Sequence, residues 1–364
     1  RDTASAVGGF PVVFRSILNF PIGYAFCARH IARALENAGA SVSYQYAYGP
    51  GTVSPVRESR YFADPVLRAM SRRKLTVTAP LVCYSQADVF RFSRAPFRAG
   101  YSMLEVDGIP EEWVRQCNEM DEVWVPSSFN KATFMSSGVK VPVQVIPFGL
   151  DAEIYSPDGD RFLPPVFTFL SVFEWSDRKA PELLIRAFNM EFKSTEPVAL
   201  FCKVMNHGGR RELQEKIRNL ELASHGGRIF FLVNCQLDDK SMAFLYRSCD
   251  TYVLPSHGEG WGMPYLESLA CGVPVIATRW SSHLDFLDDS NAYLIDIKGL
   301  VPATESHPYY RGFRWAEPSE EHLRHIMRAQ FERGRNPGRR KADFPFTWDK
   351  TANMIMKRLE RNIK

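Results

Sequence analysis

Short apolar runs alternate with segments of helical periodicity along this chain, and the alternation occurs twice. That order is the mark of parallel sheets covered by helices, so the expected class is α/β. In the first half, "PVVFRSIL" reads as a strand. Tyr24, Ala28, Ile31, Leu35 and Ala38 then recur at helical spacing until Gly39 supplies a stop, and "SVSYQY" resumes the sheet. Pro110 with Glu111 and Glu112 predicts a helix start, "EVWVP" a strand, Ser127 or Ser128 a cap, and "VQVIP" a further strand.

The segment "YSPDGDRFLPP" breaks both periodicities and is expected to link two domains. Beyond it, "VFTFLSVF", "VALFCKV", "RIFFLVN", "TYVLPS" and "VPVIAT" are strand-like. Residues 182–193 between them put Leu184, Phe188 and Phe192 on one helical face. The tail 348–364 is helix-like, with Met354 and Leu359 as apolar anchors. The expected domains are 1–155, 156–345 and a closing helix, 346–364, returning to the first. With 364 residues, 45% of them hydrophobic, there is enough apolar side chain for two cores.

A net charge of +4 is small for this length and argues against a dedicated nucleic-acid binder. The seven cysteines, at 27, 83, 117, 202, 235, 249 and 271, are scattered without a CxxC pair, so neither a disulfide framework nor a zinc site is indicated. No apolar run reaches the roughly 18 residues of a membrane span. A reducing, cytoplasmic setting is expected, and the absence of an initial Met leaves a removed leader open.

The stretch "SHGEGWGMPYLESLACGVPVIAT" carries the functional argument. Pro264 suits the first turn of a helix, because its fixed φ matches and its missing N–H would be unpaired there. The preceding loop then leads into a helix N-terminus whose backbone N–H groups can meet phosphate or sugar oxygens, and Gly260 and Gly262 allow close approach. Glu259 lies just before that helix and Glu267 one turn inside it. Ionised carboxylates match the paired hydroxyls of a sugar or ribose. Taken singly, Glu259 reads as a solvated loop charge and Glu267 as a complement to the positive end of the helix dipole; the combination is what points to a ligand.

"EGWGMPYLESLACGVPVIAT" resembles the glutamate-x7-glutamate motif of retaining glycosyltransferase family 4. "VIPFGLD", "FTFLSVFEWSDRKAPELLIRAF" and "CDTYVLPS" resemble flanking segments of that family, so the likeness covers roughly residues 120–290. It implies a GT-B fold, two Rossmann-like domains facing across a cleft, with a nucleoside diphosphate sugar as donor and no metal ion. By the same resemblance Glu267 would hold the donor ribose. Glu259 with the backbone of Trp261, Gly262, Met263, Pro264 and Tyr265 would hold the donor sugar and phosphates.

Arg178 and Lys179 follow a strand and precede a helix, where ligands collect in open sheets, and two fixed cations could neutralise a diphosphate leaving group. Gly23 opens the first long helix and corresponds to the family's glycine loop, although the usual glycine pair is displaced to Gly8 and Gly9. Asn234 and Cys235 stand where the family holds the base through backbone, which leaves the base open between UDP and GDP. His257 is expected to support the site from behind. The family's N-terminal-domain histidine has no counterpart except His30, which sits in a helix pattern. Glu105 or Asp107 could meet an acceptor hydroxyl or the developing positive charge, or serve as helix-start acids before Pro110.

Two arginine-aromatic stretches, "RESRYFADPVLRAMSRRK" and "FRFSRAPFR", read either as a solvated face or as a peripheral membrane contact suited to a lipid-linked acceptor. The resemblance therefore implies a retaining hexosyltransferase acting on a glycan or lipid-linked hydroxyl. Its rivals are a GT-B epimerase of sugar nucleotides, a non-catalytic sugar-nucleotide binder and an NAD-dependent oxidoreductase. The last lacks a GxGxxG after the first strand.

Overall fold

The computed structural model describes residues 9–20, 22–48, 63–90, 93–335 and 345–363. The chain divides into two compact units. One comprises Arg1–Leu104, Gly108–Gly149 and Pro345–Lys364; the other comprises Glu105–Asp107 and Leu150–Phe344.

In the first unit the elements run β1 (Phe10–Ser16), α1 (Gly23–Asn37), β2 (Ala40–Tyr46), α2 (Pro65–Arg72), β3 (Leu81–Tyr84), β4 (Arg98–Tyr101), α3 (Glu111–Asn118), β5 (Glu122–Val125), α4 (Ser128–Ser136) and β6 (Val143–Val145). The six strands form one parallel sheet in the order β2-β1-β3-β4-β5-β6. Strand β1 sits between β2 and β3, so the chain winds away from it in both directions, and the loop leaving its C-terminal end leads to Gly23. Helix α1 buries Ala28, Ile31 and Leu35 as the periodicity predicts, and Gly39 adopts φ 91° just past its end, where a side chain would be strained.

The last helix, which we label α10 (Trp348–Asn362), belongs to this unit. Its buried face is Trp348, Thr351, Ala352, Ile355, Met356 and Leu359; Met354, expected as an anchor, is exposed. A Cβ on Gly149 would stand 2.0 Å from the Thr347 carbonyl carbon, so only glycine lets the backbone pass beneath the start of this helix. Glu122, 5% exposed, accepts from Trp124 Nε1 at 2.9 Å and from Arg358 Nε at 3.0 Å, tying α10 to β5.

The second unit runs β7 (Phe167–Glu174), α5 (Pro181–Glu191), β8 (Val198–Met205), α6 (Gly209–Arg218), β9 (Arg228–Val233), α7 (Asp239–Arg247), β10 (Thr251–Leu254), α8 (Met263–Ala270), β11 (Val275–Thr278), β12 (Tyr293–Ile295), β13 (Ile297–Pro302), β14 (Arg314–Pro318) and α9 (Glu320–Arg333). Its parallel sheet has the order β12-β11-β10-β7-β8-β9, and β13-β14 form a separate antiparallel hairpin. Most of β7 is buried on both faces, as the continuous apolar run "VFTFLSVF" requires. Phe169, Phe188, Phe192 and Phe331 pack ring against ring between β7, α5 and α9.

The segment expected as a linker is fastened to α7. Arg247 donates to the carbonyls of Ile154, Ser156 and Asp160 at 3.0–3.3 Å. Among the described residues, no helix is long and apolar enough to cross a membrane.

Candidate active site

In the second sheet β7 pairs with β10 on one side and β8 on the other, so the strand order reverses between β7 and β10. Open α/β sheets collect ligands outside the carboxyl ends of the strands at such a point. The loop after β7 carries Arg178 and Lys179, and the loop after β10 carries Glu259. The structure brings these three together. Lys179 Nζ donates to Glu259 Oε1 at 2.6 Å, and Arg178 Nη1 donates to Glu259 Oε2 at 3.2 Å and to the Gly258 carbonyl at 2.8 Å.

All three side chains are largely removed from solvent, with side-chain exposures of 17% for Arg178, 11% for Lys179 and 6% for Glu259. Burial pushes the Glu259 carboxyl up, but Lys179 and Arg178 outweigh it and hold it at about 2. Burial also lowers the Lys179 ammonium, an effect that Glu259 opposes without reversing. Both oxygens of Glu259 are thereby occupied. Its backbone N–H donates to Ser281 Oγ at 2.9 Å.

The loops hold unusual backbone. Ala180, between the cations and Pro181, sits in the left-handed region at φ 47°, and Ser281 at φ 83°. Gly262 caps α8 at φ 92°, and a Cβ there would lie 2.7 Å from the Tyr265 ring. Gly260 is buried in the same loop.

The backbone donors expected from residues 261–265 are fewer than the sequence suggested. Pro264 has no N–H, and Tyr265 donates its own to the Gly262 carbonyl at 3.0 Å, leaving Gly262 and Met263 at the helix start. The Tyr265 hydroxyl is held by the Leu254 carbonyl at 2.7 Å and Ser256 Oγ at 3.1 Å, and Trp261 packs on Phe286.

Glu267 has a different environment. It is 6% exposed, and its Oε2 accepts from the Tyr246 hydroxyl of α7 at 2.8 Å. Burial raises the carboxyl to about 8, against the Tyr246 hydrogen bond and the charge of Lys203. The two motif glutamates are therefore opposite in protonation, one held ionised by cations and one pushed toward the neutral acid by a dry setting.

Asn234 and Cys235 follow β9. Asn234, at φ 55°, clasps Asn206 at the end of β8: its Oδ1 accepts from Asn206 N–H at 2.7 Å and its Nδ2 donates to the Asn206 carbonyl at 2.9 Å. That side chain is spent on structure, while Cys235 is half-buried. Gly23 heads α1 in the first unit, with open space where a Cβ would be.

Glu105 and Asp107 group with the second unit rather than with their sequence neighbours. Glu105 Oε2 accepts from the Tyr310 hydroxyl at 2.8 Å, and its Oε1 lies 3.9 Å from Arg178 Nη2. Asp107 is bound at the edge of β14, accepting from Arg314 N–H at 2.7 Å and Arg314 Nε at 2.9 Å, so neither residue acts as a helix-start acid. His257 lies behind the site, Nδ1 2.6 Å from the Ala316 carbonyl and the ring stacked on Trp315. His30 stacks on Trp348, and burial with Arg33 and Arg29 lowers it to about 3.

Sequence reading missed Tyr246, Ser281, His283 and Tyr310. The first three lie at strand ends or on helices flanking the motif, where the sheet topology would have directed attention; no motif marks Tyr310. His283 is fully buried, with Nε2 2.6 Å from the Thr278 carbonyl and its ring packed on Tyr265.

In the two basic stretches, Asp64 pairs with Arg33, Arg73 pairs with Glu36 and Arg98 with Asp121, which reduces the cationic character open to a membrane. Residues 57–62 and 91–92 of those stretches lie outside the described residues. Among the described residues, no group of three or more His, Cys, Asp or Glu is placed to hold a metal ion.

Residues 164–305 match the family model described as glycosyl transferases group 1. This stretch is a group 1 glycosyltransferase domain. A curated relative, the D-inositol 3-phosphate glycosyltransferase of Xylanimonas cellulosilytica, is 28% identical over 170 residues, which are 42% of this chain and 39% of the relative. The match thus spans about two-fifths of that relative's length.

Two solved structures are similar over nearly the whole chain. Sucrose-phosphate synthase from Thermosynechococcus elongatus has a TM-score of 0.66 at 17% identity, covering 97% of this chain and 98% of that one. Anabaena HepE, solved with UDP and glucose, has a TM-score of 0.61 at 16% identity, covering 96% and 99%. At these identities the likeness establishes the fold: the glycosyltransferase domain lies in a chain of the α/β GT-B class.

Proposed function

We propose that the chain is a retaining, metal-independent glycosyltransferase that moves a hexose-type sugar from a nucleoside diphosphate sugar to a hydroxyl of a glycan or lipid-linked acceptor. The observation that carries this reading is the Lys179–Glu259–Arg178 cluster at the reversal point between β7 and β10, inside the glycosyltransferase domain. Fixed cations in a water-poor setting stabilise the negative charge that grows on a departing diphosphate, with no reorganisation during the reaction. They supply the charge that a metal ion would otherwise supply.

Glu259 is a poor covalent nucleophile because each oxygen is held by a cation. Attack on the same face of the sugar follows. The bond from the anomeric carbon to the diphosphate oxygen breaks with its electron pair leaving on the phosphate, and the acceptor oxygen bonds to that carbon from the same side. The acceptor proton passes to the departing phosphate oxygen. In this scheme Glu259 orients donor hydroxyls, Glu267 takes the ribose, and the helix start at Gly262 and Met263 meets the phosphates. Glu105, in contact range of the cluster, stabilises positive charge at the anomeric carbon. Residues 234–235 meet the base. UDP and GDP are the candidate bases, and the UDP bound by HepE favours UDP.

The test is incubation with a panel of UDP- and GDP-sugars, with released nucleoside diphosphate and the anomeric configuration of the product followed by NMR. The reading expects release and an unchanged anomeric configuration, abolished in Lys179→Met. Epimerised donor in the absence of acceptor would replace it by the epimerase reading, and binding without turnover by the binding-protein reading.

A further inference from the structure

The β13-β14 hairpin is stitched to the cluster at three points beside its own pairing. The Tyr310 hydroxyl donates to Glu105 Oε2 at 2.8 Å, Glu305 Oε2 accepts from the Arg178 N–H at 3.3 Å, and Thr304 Oγ1 donates to Asp177 Oδ2 at 3.0 Å. The base of the hairpin is fixed as well, since Ala316 N–H donates to the His257 carbonyl at 3.1 Å. Tyr310 lies past residue 305, beyond the stretch that matches the glycosyl transferases.

Arg178 has two kinds of edge. Its Nη1 is committed to Gly258 and Glu259, while Nη2 faces Glu105 Oε1 at 3.9 Å, outside hydrogen-bonding range. The other oxygen of Glu105 is the one tied to Tyr310. We infer that Tyr310 is a positioning residue: it holds the Glu105 carboxylate back from Arg178 and so keeps one edge of the guanidinium available to a diphosphate. This rests on the donor reading above.

Carboxylate and phosphate compete for the same guanidinium N–H groups, and a bidentate carboxylate is a strong competitor. Without the Tyr310 hydroxyl, Glu105 closes on Nη2 and the cluster becomes internally neutralised: two cations, two carboxylates, no edge left. At an effective dielectric near 20, closing that gap to hydrogen-bond distance costs an incoming anion about tenfold in affinity.

Calorimetric titration of the full chain with inorganic pyrophosphate, UDP and GDP tests this in four proteins: wild type, Tyr310→Phe, Glu105→Gln and the double variant. Pyrophosphate carries no base, so it reports on the cations alone. The inference expects Tyr310→Phe to weaken pyrophosphate about tenfold, Glu105→Gln to bind it more tightly than wild type, and the double variant to regain at least wild-type affinity. A merely structural Tyr310 would leave the double variant as weak as Tyr310→Phe, and that result overturns the inference, as does a Tyr310→Phe that binds like wild type. If the wild type binds none of the three ligands, the donor reading falls and this falls with it. Binding by wild type with no effect of Tyr310→Phe sinks the positioning role alone.

Discussion

Lys179 Nζ lies 2.6 Å from Glu259 Oε1 at the carboxyl ends of β7 and β10, two strands far apart in sequence and adjacent in the sheet. Removing one member of a buried pair leaves the other charge uncompensated, which costs about 3–5 kcal/mol. Glu259→Gln is therefore expected to lower unfolding stability by about that amount in urea titrations. A Lys179→Met, Glu259→Leu double variant is expected to recover only part of it, because Arg178 loses the same carboxylate.

Glu267 makes stability fall as pH rises. Its folded-state pKa of about 8 stands above the ordinary 4.5, so between those values the folded protein binds a proton that the unfolded chain has released. The contribution is neutral below about pH 4.5 and fully unfavourable above about pH 8. Glu267→Gln is expected to raise the melting temperature at pH 9 and change it little at pH 4.5; an equal effect at both would show that the carboxyl titrates normally.

The Asn234 clasp on Asn206 satisfies an N–H and a carbonyl of a residue that is 2% exposed. Asn234→Ala leaves the Asn206 N–H unpaired, while the carbonyl keeps the Gly209 N–H at 3.0 Å, and adds a left-handed backbone that alanine disfavours, for a loss of about 2–4 kcal/mol. Asn234→Gly removes only the second cost. Thermal melts are expected to rank wild type above Gly above Ala; Ala equal to Gly would mean that backbone strain contributes nothing.

Much of the architecture was legible because each helix and strand carries its own periodicity. The runs around Val12, Val123, Phe169 and Val275 are strands, and Ser127 caps α4. Met354 was misjudged because a 15-residue helix presents two candidate stripes, and only its packing in the first unit decides that Ile355 and Leu359 face inward. At the site, the sequence marks Arg178, Lys179 and Glu259 as neighbours of a ligand but does not say that they pair with one another, since pairing depends on the β7-β10 adjacency. Nor does it mark Tyr310: its partner Glu105 is 205 residues away, and no spacing rule spans that distance.

Glu122 anchors α10 through Arg358 and also accepts from the buried Trp124 indole. Glu122→Ala orphans both donors and is expected to cost about 3 kcal/mol. Hydrogen exchange should then show α10 opening before the strands of the first sheet. Uniform exchange across the unit would mean that the helix is held by its apolar face alone.

The central claim is that the segment around Glu259 and Glu267 receives a nucleoside diphosphate. Isothermal titration of UDP and GDP into wild type and Glu267→Gln at pH 8.5, where the Glu267 carboxyl is mostly ionised, tests it most directly. The account predicts that one of the two binds with a dissociation constant below about 1 mM and that Glu267→Gln weakens it about tenfold. Failure of both to bind, or equal binding by the variant, would contradict it.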